Sequence, residues 1–352
     1  MTLSSRPVWA AQVLGLAAAA ALMASCRSGL PPNPGHLVER AQLVMGSELR
    51  LSAWTEDEAE ALRAFDAVFA EFSRLEGLLS VWRAGSDIQR VNEAAGQHAV
   101  DVSPETIEVL LVARQVSDWT NGKFDVTFAA MSDLWRFDHD QDNQVPSLAD
   151  VAARLPLIDY LALEINVSAR TAFLRHRGMK AHLGGIGKGY AVDRGVAILR
   201  RHGFVNFMLQ SGGDLFSAGR KGDRPWRVGV RDPRGAPDTI VAALELSDQT
   251  LSTSGDYERM FVKDGTRYHH ILDPDEGTPA RGTRSVSIVA ASAVIADGLS
   301  TGVFVLGPSR GLALVERLPG VEAVIITADN QVLVSSGLKE RLQLVAPPTD
   351  AP

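Results

Sequence analysis

The sequence is poor in cysteine: it has a single one, Cys26, among 352 residues. One cysteine cannot close an internal disulfide, so the fold must stand on its buried core. There is no excess of basic charge either. Lys and Arg total 35 against 42 Asp and Glu, for a net charge of -7. A chain that grips nucleic-acid phosphates needs a basic face, which excludes that class of partner. No internal repeat and no low-complexity tract occurs beyond the first 25 residues. No segment after them is apolar enough to span a bilayer, which takes about 20 residues.

What those first residues contain is a leader. Arg6 is their only charge, and an apolar and small-residue run follows from Val13 to Ala24. A positive start followed by a short apolar stretch reads as an export signal, too short for a comfortable membrane span. It ends in Leu22-Met23-Ala24-Ser25-Cys26, which resembles a bacterial lipoprotein cleavage box with Met23 where Leu is more usual. The plain alternative is a signal peptide with a chance cysteine. Residues 26–40, rich in proline and glycine up to Gly35, read as a tether. The organisation expected is therefore a signal over 1–25, a tether over 26–40, one domain over 41–337 and a tail over 338–352. The folded body is expected on the periplasmic side of the cell envelope, lipid-anchored through Cys26, with the inner membrane favoured.

Hydropathy at 45% apolar and 22% charged is ordinary globular usage. Leu49, Leu51 and Ala53 alternate with polar residues as in a half-buried strand. Thr55 and Glu58 have capping-box spacing ahead of a helix whose apolar stripe runs Leu62, Phe65, Phe69, Phe72, Leu75, Leu79. Ser103-Pro104 opens a second helix, and others are expected near 189–202, 292–306 and 309–318. Strands are expected over 204–209, 226–231, 240–246, 257–262, 268–272, 285–290, 321–327 and 332–335. Lys263-Asp264-Gly265-Thr266 and Asp329-Asn330 give hairpin signals. Helices and hairpin-linked strands without regular βαβ alternation predict an α+β fold with a largely antiparallel sheet.

Four constellations could carry chemistry. Gly184-Gly185-Ile186-Gly187-Lys188-Gly189 precedes a helix. Its backbone amides, the helix dipole and Lys188 suit a phosphate, and a tight strand-to-helix turn is the other reading. Gly212-Gly213-Asp214 follows an apolar strand and reads as a turn. His269 and His270 adjoin on a strand, so they face opposite ways; that makes a poor chelating pair but leaves one free to act as acid or base. Asp297 and Thr301 stand four apart on one helix face, offering hard oxygen ligands for Mg²⁺ or simply a polar surface.

The order of these motifs is more specific than any of them alone. Met45-Gly46-Ser47, Ser80-Val81-Trp82, Ser86-Asp87-Ile88 with Asn92, Gly122 to Thr127, Gly184 to Asp193, Gly212-Gly213-Asp214, Ser252 to Tyr257, His270 to Pro274 and Asp297 to Thr301 occur in sequence. Together, over about residues 41–337, they resemble the bacterial flavin transferase family called ApbE. The resemblance implies a single T-fold-like flavin transferase domain that binds FAD and Mg²⁺. It implies that a Thr or Ser hydroxyl of an acceptor protein attacks the FMN phosphorus and that AMP leaves. The acceptors implied are subunits of membrane redox complexes facing the periplasm. It also implies roles for particular residues. Gly185 (by its carbonyl), Asp297 and Thr301 would hold the metal. Met45, Trp82, Lys123, Phe124, Asp125, Lys188 and Ile271 would contact FAD, and His270 would be the base. His182 stands where the family usually has an aspartate in contact with FAD, so that contact changes. Two other functions use the same residues: hydrolysis of FAD to FMN and AMP, and a non-catalytic flavin-binding lipoprotein.

Overall fold

The computed structural model describes residues 34–351; the leader, Cys26 and residues up to 33 lie outside them. The chain opens with β1 (His36–Val44) and β2 (Ser47–Thr55), then α1 (Glu58–Leu79), α2 (Asp87–Glu93), β3 (Val100–Asp101), α3 (Pro104–Trp119) and α4 (Leu148–Arg154). Next come β4 (Leu163–Asn166), β5 (Thr171–Leu174), α5 (Gly187–Arg201), β6 (Phe207–Ser211), β7 (Asp214–Ala218), β8 (Arg220–Lys221), β9 (Arg224–Arg231) and β10 (Ile240–Leu246). They are followed by β11 (Gln249–Gly255), β12 (Met260–Lys263), β13 (Thr266–His269), β14 (Leu272–Asp273), β15 (Thr278–Pro279) and β16 (Thr283–Ala290). The last elements are α6 (Ala293–Leu306), α7 (Pro308–Val315), β17 (Glu322–Thr327), β18 (Val332–Val334) and β19 (Gln343–Leu344).

The main sheet has eight strands in the order β1-β2-β6-β7-β11-β16-β17-β18, paired antiparallel throughout. The α+β expectation therefore holds. Apolar faces of α1, α3, α5 and α6 cover one side of this sheet, where Phe65, Phe72, Phe207 and Phe304 are fully buried. A second sheet, β19-β10-β9-β8, covers the other side through Val228, Val230, Leu244, Leu251, Val289 and Ile326. With both faces covered, all eight residues of β16 are buried.

Local chemistry accounts for most element boundaries, with some differences from expectation. The helix α1 is capped by Asp57, whose carboxylate accepts from the Glu60 amide at 2.9 Å, rather than by Thr55. Thr55 instead accepts from the Asp57 amide, holding the turn before the cap. Ser103 caps α3 as expected, accepting from the Thr106 amide. The turn at 264–265 has φ of +51° and +74°, the left-handed pair that a two-residue hairpin requires. The strands β7 and β11, both central, were not foreseen. The strand β1 begins at His36, inside the stretch read as a tether. The stretch read as a tail is joined to the body: β19 pairs with β10, and Thr349 donates to Asp232 through its amide and hydroxyl.

The contact that positions the site is between α5 and α6. A Cβ at Gly189 would stand 2.3 Å from the Ala293 carbonyl oxygen and 2.6 Å from the Asp297 Cβ. Helix propensity favours Gly189→Ala by about 1 kcal/mol. The overlap falls on backbone that cannot move aside, and overpacking of this kind costs about 1–3 kcal/mol or more. We therefore expect Gly189→Ala to lower stability in urea unfolding; equal or greater stability would show that the two helices can part without loss.

Candidate active site

Several loops and element ends meet around a cavity of about 650 Å³, inside the about 300–1,000 Å³ usual for small-molecule sites. One wall is the start of α5 against α6. The Gly189 amide donates to Asp297 Oδ2 at 2.8 Å. Asp193, further along α5, accepts from the Ser292 hydroxyl and from the Ala293 and Val294 amides at 2.8–3.0 Å. It thereby satisfies orphan donors at the start of α6. One helical turn beyond Asp297, Thr301 reaches the glycine loop: a Cβ at Gly185 would lie 3.2 Å from Thr301 Oγ1. Gly185, Asp297 and Thr301 thus line the same wall of the same cavity. Ser254 at the end of β11 fixes the Thr301 hydroxyl, with the two oxygens 3.1 Å apart.

The charges on this wall do not balance. Lys188 lies 3.7 Å from Asp214 Oδ2, and its ammonium also donates to the Gly184 carbonyl at 3.3 Å. Burial raises the Asp297 carboxyl, and Asp214 raises it further. Burial raises Asp214 as well, against the pull of Lys188. For Lys188 itself, burial works against its charge, but Asp297 and Asp214 outweigh it. Two buried carboxylates share one ammonium, so the wall is one positive charge short. Among the described residues no group of three or more His, Cys, Asp or Glu has metal-binding geometry. The set of one carboxylate, one hydroxyl and one backbone carbonyl consists of hard oxygens, and together with the missing charge it fits a divalent cation such as Mg²⁺.

The two adjacent histidines have separate tasks. His269 is buried, with Nε2 on the Ala280 carbonyl at 2.9 Å and Nδ1 accepting from the Ile271 amide at 3.3 Å. Both its nitrogens are used within the fold. His270 lies against the cavity, and its Nδ1 meets the Arg259 carbonyl at 3.3 Å. A carbonyl only accepts, so Nδ1 carries the proton and Nε2 keeps a lone pair. Burial, with Arg259 beside it, lowers the His270 imidazole to about 3.

The other residues singled out from sequence lie around the same space, with one exception. Trp82 is 57% exposed at the rim and meets His139 edge-on at 4.9 Å. Phe124 and Ile271 are buried in the cavity wall. Lys123 also lines the cavity, but its ammonium is held by Asp273 at 2.6 Å and Asp275 at 2.8 Å. The Asp125 carboxylate accepts from the Thr127 amide and hydroxyl and from the Tyr160 amide, so its oxygens are engaged in the fold; burial still raises it to about 6. Met45 packs against the core in the β1–β2 turn, and its neighbours Gly46 and Ser47 line the cavity instead. His182 lines the cavity, its Nδ1 accepting from the Gly184 amide at 2.9 Å. Sequence reading underrated Asp214, taken only as part of a turn, and missed Arg259, which no local pattern marks. Arg259 holds Asp138 across the mouth at 2.7 Å, while its backbone carbonyl holds His270.

An exposed imidazole titrates near about 6.5, whereas the enclosed one of His270 is held at about 3. The expected NMR result for the free protein is a His270 ring signal that does not move between pH 5 and 8. A titration near neutrality would show that water reaches the ring.

Comparison with known proteins identifies the family. The model of the ApbE family matches residues 45–325. An FAD:protein FMN transferase of Klebsiella pneumoniae (strain 342) is 32% identical over 295 residues, covering 84% of this chain and 90% of its own. One from Treponema pallidum (strain Nichols) is 34% identical over 322 residues, covering 87% and 89%. The crystal structure of the ApbE protein of Thermotoga maritima superposes with a TM-score of 0.80 at 31% identity, over 87% of this chain and 99% of that one. The flavin transferase ApbE of Vibrio cholerae gives 0.78 at 26% identity, over 88% and 100%. With the family model spanning most of the chain, and relatives above 30% identity along most of it, this protein belongs to the ApbE family.

Proposed function

We propose that this chain is an FAD:protein FMN transferase that moves the FMN half of FAD onto a Thr or Ser hydroxyl of an acceptor protein, with Mg²⁺, releasing AMP. The reading extends to placement: Cys26 is lipidated, the body lies on the periplasmic side of the envelope, and the acceptors are periplasm-facing redox subunits. The observation that carries the chemical part is the cavity itself. It sets an imidazole with a free Nε2 and an oxygen-lined, charge-deficient wall around one space. The curated relatives named above carry this activity in their names.

In this reading the diphosphate of FAD lies along the start of α5, where the positive end of the helix dipole and Lys188 favour an anion. His270 Nε2 takes the proton of the acceptor hydroxyl. The hydroxyl oxygen bonds to the FMN phosphorus as the bond from that phosphorus to the oxygen of AMP breaks, so the phosphoester and AMP are the products. When bound by Asp297, Thr301 and the Gly185 carbonyl, magnesium supplies charge neutralisation on the diphosphate. An imidazole lowered to about 3 is a weak base. An anionic diphosphate beside it favours the imidazolium, so the base gains strength only once substrate is in place. The half-buried Ser254 and Asp193 contacts hold the wall in position and touch no reacting atom.

The direct test is incubation with FAD, magnesium and an acceptor polypeptide, followed by mass spectrometry. One added FMN on one hydroxyl residue is expected. Free FMN and AMP with an unlabelled acceptor would assign hydrolysis instead, and intact FAD would leave only binding. Asp297→Ala is expected to abolish magnesium-dependent turnover with circular dichroism unchanged. His270→Ala should slow turnover by about 10²- to 10⁴-fold, while His269→Ala should show mainly as a loss of stability. Because burial raises the Asp297 and Asp214 carboxyls, and Asp214 raises Asp297 further, protons compete with the cation as pH falls. The magnesium concentration for half-maximal activity should therefore decrease from pH 6 to pH 8; a value independent of pH would remove these carboxylates from the metal site.

A further inference from the structure

The strand β12 leaves one edge unpaired beside the cavity mouth. It pairs with β13 across a two-residue turn, in the register Lys263↔Thr266, Val262↔Arg267, Phe261↔Tyr268 and Met260↔His269. The pair that closes such a turn is hydrogen-bonded, and bonded and unbonded pairs alternate from there. The His270 amide, which donates to the Arg259 carbonyl at 3.1 Å, continues the bonded set. Val262 and Met260 therefore turn their amides and carbonyls away from β13. Met260 bears this out, because its carbonyl accepts from Gln141 Nε2 at 3.3 Å, outside the hairpin. Among the described residues none makes such a bond to Val262, which is 57% exposed. The edge ends at Arg259, which lines the cavity together with His270. One turn of the loop after Phe137 lies along it. Asp138 holds Arg259 at 2.7 Å, Gln141 holds Met260, and the Gln141 amide donates to the Asp138 carbonyl at 3.1 Å. A side-chain amide on a strand carbonyl makes the bond that a neighbouring strand would make.

We propose that the outer edge of β12 is the docking site of the acceptor polypeptide, which adds an extended segment there as a third strand and so brings its hydroxyl residue to His270. This rests on the functional reading above and adds where the acceptor protein binds. The reacting hydroxyl must come to His270 Nε2, so its chain crosses the mouth next to Arg259, where this edge ends. The edge offers backbone donors and acceptors, which pair with an extended chain of any sequence; side-chain choice is left to the surface around it. Little blunts the edge against such pairing. The strand has no proline, and its one charge, Lys263, stands at the turn. Gln141 holds the place at Met260 and must swing aside for an acceptor amide to take that carbonyl. A second copy of this chain could pair along the same edge, but it would obstruct the mouth that the reaction needs open.

Three substitutions test the edge. Val262→Pro removes the outward amide and leaves the bonds to β13 intact, since Val262 makes none of them. Val262→Ala keeps the amide and trims the exposed side chain. Gln141→Ala frees the Met260 carbonyl. Initial rates of FMN transfer are measured on the full-length protein with FAD and magnesium saturating, against the concentration of the acceptor polypeptide labelled in the mass-spectrometric assay above. The acceptor KM should rise about 5- to 10-fold in Val262→Pro, the worth of one hydrogen bond, with kcat within about 2-fold of the parent. It should stay within about 2-fold in Val262→Ala and fall by about 2- to 5-fold in Gln141→Ala. Hydrogen exchange gives a second readout that needs no substitution: the Val262 amide should exchange more slowly at saturating acceptor. An unchanged KM in Val262→Pro, an equal rise in Val262→Ala, or a Val262 amide that the acceptor leaves unprotected would overturn the proposal. So would a parent dimer in sedimentation that Val262→Pro separates, which would give the edge to a second copy. If the parent protein labels no acceptor, the functional reading falls and takes this one with it.

Discussion

Two helices that meet with no side chain between them determine the site. At Gly189 the first turn of α5 lies directly on α6, and the amide there donates to the Asp297 carboxylate. That contact aligns the glycine loop before α5 with one face of α6, so Gly185 meets Thr301 one turn on. It also fixes the direction of both helices relative to the sheet beneath them, because Gly195, two turns along α5, leaves room for Leu209 of β6 and Phe72 of α1. A larger residue at either glycine separates layers that share one core.

The electrostatics follow from this packing. Bringing Asp297 into the interior beside Asp214 places two carboxylates within reach of a single lysine. Burial makes both harder to ionise, and Asp214 makes Asp297 harder still. A structural protein would relieve such a wall with a second cation or an apolar residue. In the proposed function this wall takes its balancing charge from a bound cation. The neighbouring histidines show the same economy: the fold uses both nitrogens of His269 and one each of His270 and His182, leaving a lone pair on one ring and a proton on the other.

Much of this was legible in the chain where local chemistry governs. Ser103-Pro104 and the Asp264-Gly265 turn act through their own backbones, so they mark boundaries in any context. The aromatic stripe of α1 repeats at helical spacing because one face meets the core. The strand β11 escaped notice for an equally physical reason. Its Thr250 and Ser252 are fully buried, and Thr250 is satisfied by the Leu215 carbonyl. Buried hydroxyls look like a loop to any reading based on apolar periodicity. The cap of α1 was displaced from Thr55 to Asp57 because a carboxylate two residues on competes better for the amides of the first turn.

By itself the sequence determined the elements set by neighbours along the chain, the helix face shared by Asp297 and Thr301, and the ordered motifs that mark the ApbE family. Those properties depend on spacing, which a linear chain records. Tertiary structure alone decided that Lys123 is held by Asp273 and Asp275, that Asp125 is engaged in the fold, that Asp214 joins Asp297, and which nitrogen of each histidine is free. The pairings of Lys123, Asp125 and Asp214 join residues far apart in the chain, while the His182 tautomer depends on how the fold bends the loop onto Gly184. They are set by which groups are desolvated together, and no local pattern carries that information.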